Sequence, residues 1–246
     1  MTLVRGLLKA QLSAGLRSAL RNVQTEARIQ RLHRAGLTRA KRFAGVRPLR
    51  LNLGSGLRPR AGWVNVDLRA DADVPLDLRE RLPFGDGTVD EIYSEHFLEH
   101  LDYPNLGDTT AWHVETASRP SDALGFLREC RRVLVPGGRL DVVVPDAECI
   151  VREYVAWHDR RSAPPPWWGP AWCDTAMHRV NYVFRQGREH KYAYDAETLR
   201  RALESVGFTA VRRRPFNPAT DADNHALGSL CMEAMSPAAD VRARAS

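Results

Sequence analysis

Two short segments near residue 50 have the residue types and spacing to hold a nucleoside-containing cofactor. In LNLGSG, residues 51–56, an apolar strand runs directly into a glycine turn. Glycines let the backbone turn sharply and approach a ligand closely, because no Cβ stands in the way. A second strand, in GWVNVDL, ends at Asp67, where an acid can hold ribose hydroxyls. Together the two segments predict a nucleoside-cofactor site.

A group of ionisable residues follows a third strand, in SEHFLEHL at residues 94–101. Ser94, Glu95 and His96 are expected to project from the carboxyl end of that strand, which is the edge where α/β sheets bind ligands. If the segment after Glu95 is helical, His96 and His100 lie four residues apart and share one face. The segment therefore predicts polar side chains at the ligand-binding edge.

The elements that must position these residues alternate between strands and helices from residue 48 onward. This alternation predicts an α/β fold with a mostly parallel sheet covered on both faces. Helices are predicted over 123–133 and 196–205, each with an N-terminal acid or serine and a glycine beyond its end. The last two strands have no helix between them, so they are expected to pair antiparallel. The predicted strands lie near 49–53, 63–67, 89–93, 139–144, 209–214 and 228–235.

The connection between the first two strands is too short for a standard parallel crossover. Only residues 57–62 separate Gly56 from Trp63, whereas such a crossover takes roughly a dozen residues or more and a helix. The first crossover helix must therefore be abbreviated or absent. One wall of the cleft is then expected from elsewhere, either from the N-terminal helix or from a long insert over 157–194.

Composition favours one soluble domain with an N-terminal appendage. The 246 residues suffice for one α/β core, and the four cysteines include no CxxC pair and no His/Cys cluster at zinc spacing. Neither a disulfide framework nor a metal site is predicted. We expect a cytoplasmic protein, since no apolar run approaches the roughly 18 residues of a membrane span and no secretory signal is recognisable.

The positive charge is concentrated in the N-terminal arm, residues 1–46. Residues 1–50 hold twelve Lys and Arg and one Glu, whereas the whole chain has a net charge of +6, so the remainder is acidic. Leucines from Leu3 to Leu20 recur at helical spacing, which predicts a basic amphipathic helix. Such a helix can pack on the domain or on a second copy, or rest peripherally on the inner membrane face. Its single aromatic residue, Phe43, argues against nucleic acid.

Five motifs follow one another in a fixed order along the chain: LNLGSG, GWVNVDL, LPFGDGTVDEIYSEHFLEHL, FLRECRRVLVPGGRLDVVVPD and HKYAYDAETLRRALESVGF. With these motifs the chain resembles the class I S-adenosylmethionine-dependent methyltransferases over roughly residues 48–235. It is most similar to bacterial small-molecule methyltransferase-like proteins associated with saccharide or secondary-metabolite pathways. The resemblance implies a Rossmann-like methyltransferase domain over 47–236, followed by a tail, 237–246, that we expect to be disordered.

The resemblance implies S-adenosyl-L-methionine as the cofactor and assigns its contacts. The glycine turn would wrap the methionine part with its backbone N–H groups. Asp67 would accept hydrogen bonds from the ribose hydroxyls, and Asp77 with Leu78 would meet adenine. Asn52 stands where the family often has an acid, so its contact would be through an amide. The predicted cofactor residues are Asn52, Gly54, Ser55, Gly56, Asp67, Leu68, Asp77, Leu78, Ser94 and Glu95.

Methyl transfer, the activity that the resemblance implies, is an in-line displacement from a sulfonium. It depends largely on placing the acceptor atom near the methyl group, and a hydroxyl acceptor is helped by a base with a pKa near neutrality. His96 and His190 rank first as candidates, followed by Asp146 and then His100. The sequence does not choose among them.

Two inserts are interpreted as specificity elements. Residues 103–120 exceed usual connection lengths and are expected to form a lid. Residues 157–194 bring aromatic side chains together with basic ones, a combination that suits a sugar or an anionic small acceptor and equally suits a local core.

The expected function is methylation of a small-molecule or saccharide-like acceptor, with an oxygen as the expected methylated atom. Two alternatives stay open: a nucleic-acid or protein methyltransferase, motivated by the basic arm, and a non-catalytic cofactor-binding scaffold. A dinucleotide oxidoreductase is disfavoured, because LNLGSGLRP lacks the third glycine of GxGxxG.

Overall fold

The computed structural model describes residues 13–104, 122–160 and 169–238. Within these ranges the helices are α1 (Ala14–Ala40), α2 (Ala123–Val133), α3 (Ala147–Arg160), α4 (Ala176–Arg185) and α5 (Ala196–Ser205). The strands are β1 (Arg50–Leu53), β2 (Val64–Asp67), β3 (Val74–Pro75), β4 (Val89–Glu95), β5 (Leu134–Pro145), β6 (Thr209–Arg213) and β7 (Ser229–Met235).

The described strands form one sheet in the order β3-β2-β1-β4-β5-β7-β6. The pairs from β3 through β5 are parallel, whereas β7 runs antiparallel to both β5 and β6. Strand order reverses between β1 and β4, and in open α/β sheets the ligand crevice lies outside the carboxyl ends of the strands at such a point. The predicted Rossmann-like α/β fold with an antiparallel C-terminal pair is confirmed.

The central strands are buried on both faces, which is why they are short, apolar runs instead of alternating ones. Leu51 and Leu53 of β1 and Val143 of β5 are fully buried. The helices that cover the sheet begin at side-chain caps, as the sequence predicts. Asp122 accepts a hydrogen bond from the Gly125 N–H, which satisfies one of the free donors of the first turn of α2.

The N-terminal helix packs against the edge of the sheet through its last turns. Gly36 and Ala40 are buried, and a Cβ at Gly36 would lie 2.0 Å from the Pro75 carbonyl oxygen. Only glycine permits this approach of α1 to β3. Leu16 and Leu20, near the start of the helix, stay about half exposed. Membrane contact or self-association of this exposed part therefore stays a prediction.

The structure extends or moves several predicted elements. Strand β5 begins at Leu134, five residues before its predicted start, because the Pro136–Gly138 turn is included within it. Strand β3 is two residues long and has no counterpart in the predicted set. No helix lies between β1 and β2 in the described chain, as the short connection requires. Within the described ranges, no helix has the length and apolar character needed to cross a membrane.

The proposed division at residues 46 and 236 stays a prediction. The insert at 103–120 lies outside the described residues apart from its first two positions, and so do residues 161–168 of the second insert. The arm upstream of residue 13 and most of the predicted tail also lie outside them.

Candidate active site

The glycine turn after β1 is held against the end of β2 by the predicted ribose-binding acid. Gly54 and Gly56 have φ angles of +73° and +52°, which disfavour any residue other than glycine. The Gly56 N–H donates to Asp67 Oδ2 at 2.9 Å, and the Gly54 N–H donates to the Val66 carbonyl at 2.8 Å. Asp67 therefore organises the turn, and its half-buried carboxylate lies beside the glycines.

Asn52 supports the turn from below. Its side-chain amide is buried and donates to the Asn65 side chain at 2.9 Å and to the Arg58 carbonyl at 3.2 Å. Both amide hydrogens are thus used to fix the short β1–β2 connection. Its predicted cofactor contact stays a prediction, and it would have to be made through the side-chain oxygen.

A cavity of about 1010 Å³ opens in front of the glycine turn. The turn and the connection after it form one side, and β4 forms the floor. The sequence left two sources for the remaining wall, the N-terminal helix and the insert over 157–194. The insert lines the cavity, through Gln186 and Glu189, and the described part of the N-terminal helix does not. The β6–β7 loop supplies the rest, through Thr220, Asp221, Ala222 and His225.

The β6–β7 loop is anchored by a buried ionic network centred on Asp221. Its carboxylate accepts hydrogen bonds from the Tyr93 hydroxyl at 3.0 Å and from both terminal nitrogens of Arg214. Arg214 also reaches Asp141 on β5 at 2.8 Å. The guanidinium of Arg60 lies 3.3 Å from the centre of the Tyr93 ring, so the loop after the glycine turn meets the same network.

His96 stands at the end of β4 in a strained conformation. Its φ is +50°, an uncommon value for a residue other than glycine. Its Nε2 lies 3.0 Å from Ser229 Oγ, its Nδ1 lies 3.3 Å from Glu99 Oε1, and its ring stacks on that of His225 at 3.7 Å. The segment directly after β4 contains a single 3₁₀ turn, Leu98–His100, so the condition under which His96 and His100 would share one helix face is not met.

A second cavity, of about 470 Å³, lies on the other side of this histidine. It is lined by residues of the insert, including Tyr182 and His190, and by the start of β7. Four residues line both cavities: His96, His100, Gln186 and His225. The two cavities therefore meet at a shared wall that is made mostly of imidazole rings.

His190 is fixed in the wall of the smaller cavity. Its Nδ1 lies 2.5 Å from the Val183 carbonyl, its Nε2 lies 4.0 Å from Glu99 Oε1, and its ring meets that of His100 edge-on at 4.9 Å. Burial, opposed in part by the charge of Glu99, lowers the pKa of His190 from its ordinary value and so favours the neutral imidazole.

Asp77 and Leu78 lie beneath α1, and they line neither cavity at the histidine wall. Arg79 donates to the Asp77 carboxylate through Nε at 2.9 Å and through a terminal nitrogen at 2.8 Å. The Asp77 N–H donates to His33 Nδ1 at 3.2 Å. Leu78 is buried in the core. The predicted adenine contact by this pair stays a prediction.

Glu95 and Ser94 differ in their surroundings although they are adjacent in β4. The Glu95 carboxylate accepts from the Ala222 N–H at 3.0 Å and lies 2.9 Å from His225 Nδ1. Burial would raise the pKa of Glu95, but these hydrogen bonds outweigh it and hold the pKa below its ordinary value. The Ser94 hydroxyl is buried and has no hydrogen-bond partner among the described residues. Leu68, the other predicted cofactor residue near the glycine turn, follows β2 and is half-buried.

Asp146 is engaged in a structural role at the start of α3. Its Oδ1 accepts from the Cys149 N–H at 3.1 Å, and its Oδ2 accepts from Arg213 at 2.8 Å. The carboxylate is buried and both oxygens have partners. A part for Asp146 in catalysis stays a prediction.

The sequence does not mark two residues that lie against His96, namely Glu99 and His225. Glu99 lies three residues after His96 and directly before His100, and that spacing is the one signal that could have drawn attention to it. His225 lies in the β6–β7 loop, far along the chain from β4, and no local pattern marks it. Folding brings both to His96.

Comparison with known proteins finds a family match for part of the chain. Residues 67–142 match the sequence model of a family described as "Methyltransferase domain". The comparison with curated proteins gave no match.

Three solved structures illustrate the similarity to known folds. Phosphoethanolamine N-methyltransferase 2 from Haemonchus contortus, solved with phosphomonomethylethanolamine and S-adenosylhomocysteine, is 14% identical with a TM-score of 0.44 over 83% of this chain and 52% of its own. A SAM-dependent methyltransferase from Thermotoga maritima is 15% identical with a TM-score of 0.44, over 88% of this chain and 96% of its own. A SAM-dependent methyltransferase from Mesorhizobium loti is 16% identical with a TM-score of 0.42, over 76% of this chain and 90% of its own.

The chain spans about half the length of the Haemonchus protein. Because the TM-scores are low, the fold assignment rests on the strand order of the sheet. The family match, by contrast, covers β4, α2 and the glycine turn that opens β5, together with the connecting segments. The match supports a methyltransferase domain in this part of the chain, and the predicted domain bounds of 47 and 236 stay a prediction.

Proposed function

We propose that the protein is an S-adenosylmethionine-dependent methyltransferase that methylates a small-molecule or saccharide-like acceptor at oxygen. One observation carries the proposal: two cavities at the carboxyl edge of the sheet share a wall that contains His96. Methyl transfer needs a cofactor site and an acceptor site that meet at the reacting atoms. The family match over residues 67–142 supports this reaction class.

The larger cavity has the features that the cofactor requires. Its volume of about 1010 Å³ is at the upper end of the roughly 300–1,000 Å³ typical of small-molecule and cofactor sites. Gly56 lines it, and a Cβ built there meets nothing within 4 Å, so the turn leaves space for a ligand. Asp67 lies against the same glycine, where its carboxylate can also accept hydrogen bonds from ribose hydroxyls. When bound, S-adenosylmethionine supplies a methyl group on its sulfonium.

His96 is the base that the geometry favours. It lines both cavities, and its Nε2 faces the hydroxyl of Ser229 at 3.0 Å, so one ring nitrogen is directed toward the smaller cavity. The ring of His225 stacks on the imidazole, and Glu99 Oε1 lies 3.3 Å from its Nδ1. In this proposal His96 accepts the proton of the acceptor hydroxyl. Glu99, which lies at the opposite ring nitrogen, is then a positioning residue.

The smaller cavity favours a compact, oxygen-rich acceptor. It combines one aromatic face, Tyr182, with imidazoles and the Asn224 side chain, a mixture that suits a polar ring. Its volume of about 470 Å³ suits a small molecule, and this argues for a sugar-like acceptor over a nucleic acid or a protein.

The test is a methyl-transfer assay with radiolabelled S-adenosylmethionine and a panel of sugars, glycosylated metabolites and small phenols. We expect transfer to one class of hydroxyl acceptor, with loss of transfer in His96→Ala and unchanged transfer in His158→Ala, a change at an exposed histidine of α3. Saturable cofactor binding without transfer to any acceptor would instead indicate the scaffold alternative. Transfer to nucleic acid that falls steeply with added salt would replace the small-molecule acceptor.

A further inference from the structure

We propose that Glu99, His100 and His190 bind a divalent transition-metal ion in the wall between the two cavities. Each residue offers one ligand atom, and these atoms all lie within 4.8 Å of one another. The group combines two imidazoles and one carboxylate, although the sequence spacing predicts no metal site. Folding brings the insert residue His190 to the 3₁₀ turn that carries the other two.

The carboxylate of Glu99 is the first reason for the proposal. Its side chain is 1% exposed, and neither oxygen accepts a hydrogen bond from any described residue. The nearest charged or ionisable neighbours are His96 Nδ1 at 3.3 Å and His190 Nε2 at 4.0 Å. A carboxylate that is buried without hydrogen bonds is strongly destabilising, and coordination of a cation removes that cost.

The orientation of His190 is the second reason. Its Nδ1 lies 2.5 Å from the Val183 carbonyl, which can only accept, so the ring proton is on Nδ1. The Nε2 lone pair then faces Glu99 Oε1, and two acceptors oppose each other at 4.0 Å. Metal–nitrogen and metal–oxygen bonds are each about 2.0–2.2 Å long, so two ligands of one tetrahedral ion lie roughly 3.3–3.6 Å apart, and these two atoms would approach each other by about half an ångström on binding it. A ligating histidine commonly donates its other ring N–H to a backbone carbonyl, as His190 does here.

The donor set selects the class of ion. Two imidazoles and one carboxylate are the ligands of catalytic zinc sites and of sites for other first-row transition metals. Magnesium and calcium prefer oxygen ligands and are disfavoured by two nitrogens. Three protein ligands leave at least one coordination position open, and all three residues line the smaller cavity. The site is therefore one that can bind a further ligand.

The open position has a consequence for the acceptor, and this part rests on the proposed function. A metal ion at the wall would hold an acceptor oxygen close to His96 and make its proton easier to remove. An acceptor with two neighbouring hydroxyls, as in a saccharide, could occupy two positions at once. The metal site thus favours a diol-containing acceptor.

The experiment measures metal binding by the full chain without a polyhistidine tag. Protein stripped with a chelator is titrated with Zn²⁺, and separately with Co²⁺, whose visible absorption reports the ligand geometry. We expect one ion per chain, with affinity at least about a hundredfold lower in Glu99→Gln and in His190→Ala, since changes even to outer-shell partners cost 10–100-fold. His158→Ala, which removes an exposed histidine, should bind as the wild type does.

Two further readouts separate a binding defect from a folding defect. Zn²⁺ should raise the Tm of the wild type and leave that of Glu99→Gln unchanged. Without metal, Glu99→Gln should melt no lower than the wild type, because the change removes a buried charge that lacks a hydrogen bond. A stripped wild type that binds neither ion, or a Glu99→Gln variant that binds both as tightly, overturns the proposal.

Calorimetry with S-adenosylmethionine on the same samples keeps the two proposals apart. Cofactor binding without metal binding overturns the metal site alone. Metal binding without cofactor binding supports the site and overturns the methyltransferase proposal.

Discussion

Gly56 offers a sharp test of the glycine turn, because its substitution should separate cofactor affinity from stability. Its φ of +52° is one that side-chain-bearing residues adopt only at a cost of about 1–2 kcal/mol. A Cβ at this position meets no atom within 4 Å, so no clash adds to that cost. Gly56→Ala should therefore lower the free energy of unfolding by about 1–2 kcal/mol.

Gly56→Ala should weaken cofactor binding by more than its effect on the free energy of unfolding would suggest. Gly56 lines the larger cavity, and its N–H is the donor that ties the turn to Asp67. A methyl group there occupies space beside the ligand and moves the N–H away from the acid. We expect S-adenosylmethionine to bind at least tenfold more weakly, which is a loss of about 1.4 kcal/mol or more.

Gly137 provides the matched control. It has a φ of +76°, its added Cβ also meets nothing within 4 Å, and it lies in the turn that opens β5, at the opposite end of that strand from the site. Gly137→Ala should cost a similar amount of stability, measured by denaturant unfolding, and leave the Kd of the cofactor unchanged. The reasoning is refuted if calorimetry gives the two variants the same cofactor Kd.

Three other changes test neighbouring parts of the account. His96→Ala should lower the rate of methyl transfer by about 10²–10⁴-fold while cofactor binding persists, as single-turnover kinetics can show; equal rates would remove the base from the proposal. Asp221→Asn should lower the free energy of unfolding, measured in urea, by about 2–4 kcal/mol, because it disrupts a buried ion pair with Arg214. A decrease below about 0.5 kcal/mol would contradict the role of Asp221 as the anchor of the β6–β7 loop. Asp77→Asn should cost about 1–3 kcal/mol at pH 7, since the aspartate loses its charge beside Arg79. Burial would raise the pKa of Asp77, but the Arg79 hydrogen bonds hold that pKa below its ordinary value. The loss of stability caused by Asp77→Asn should therefore vanish as the pH falls through the lowered pKa. A loss of stability that is independent of pH would contradict the pairing of Asp77 with Arg79.

Local signals in the sequence were sufficient for most of the fold. The caps at Asp122 and Asp195 and the glycine at 207 place α2 and α5 at their predicted bounds. Strand pairing followed from connection lengths, and β6 and β7 pair antiparallel as expected. Strand β3 was missed because two residues are too few to show any periodicity.

The candidate site was only partly predictable, because much of it is assembled from distant segments. The turn at Gly54–Gly56 and Asp67 could be read from the sequence, since backbone geometry requires glycine there and the acid ends the next strand. Asp77 and Asp146 look equally available in the sequence, yet Arg79 and Arg213 occupy their carboxylates in the folded chain. Such partners depend on tertiary packing.

The histidine wall shows the same limit from the other side. The burial of Glu99 among imidazoles depends on how the insert returns to the sheet. His225 reaches the wall because the β6–β7 loop folds over β4. Neither fact leaves a local pattern, since both depend on contacts between residues about 90 to 130 positions apart.

Calorimetric titration of the full chain with S-adenosylmethionine and with S-adenosylhomocysteine is the decisive test of the proposed methyltransferase. We expect saturable binding of both ligands, marked weakening of both in Asp67→Ala, and no binding of NAD as the control nucleotide. Failure of the wild type to bind either ligand would contradict the methyltransferase assignment.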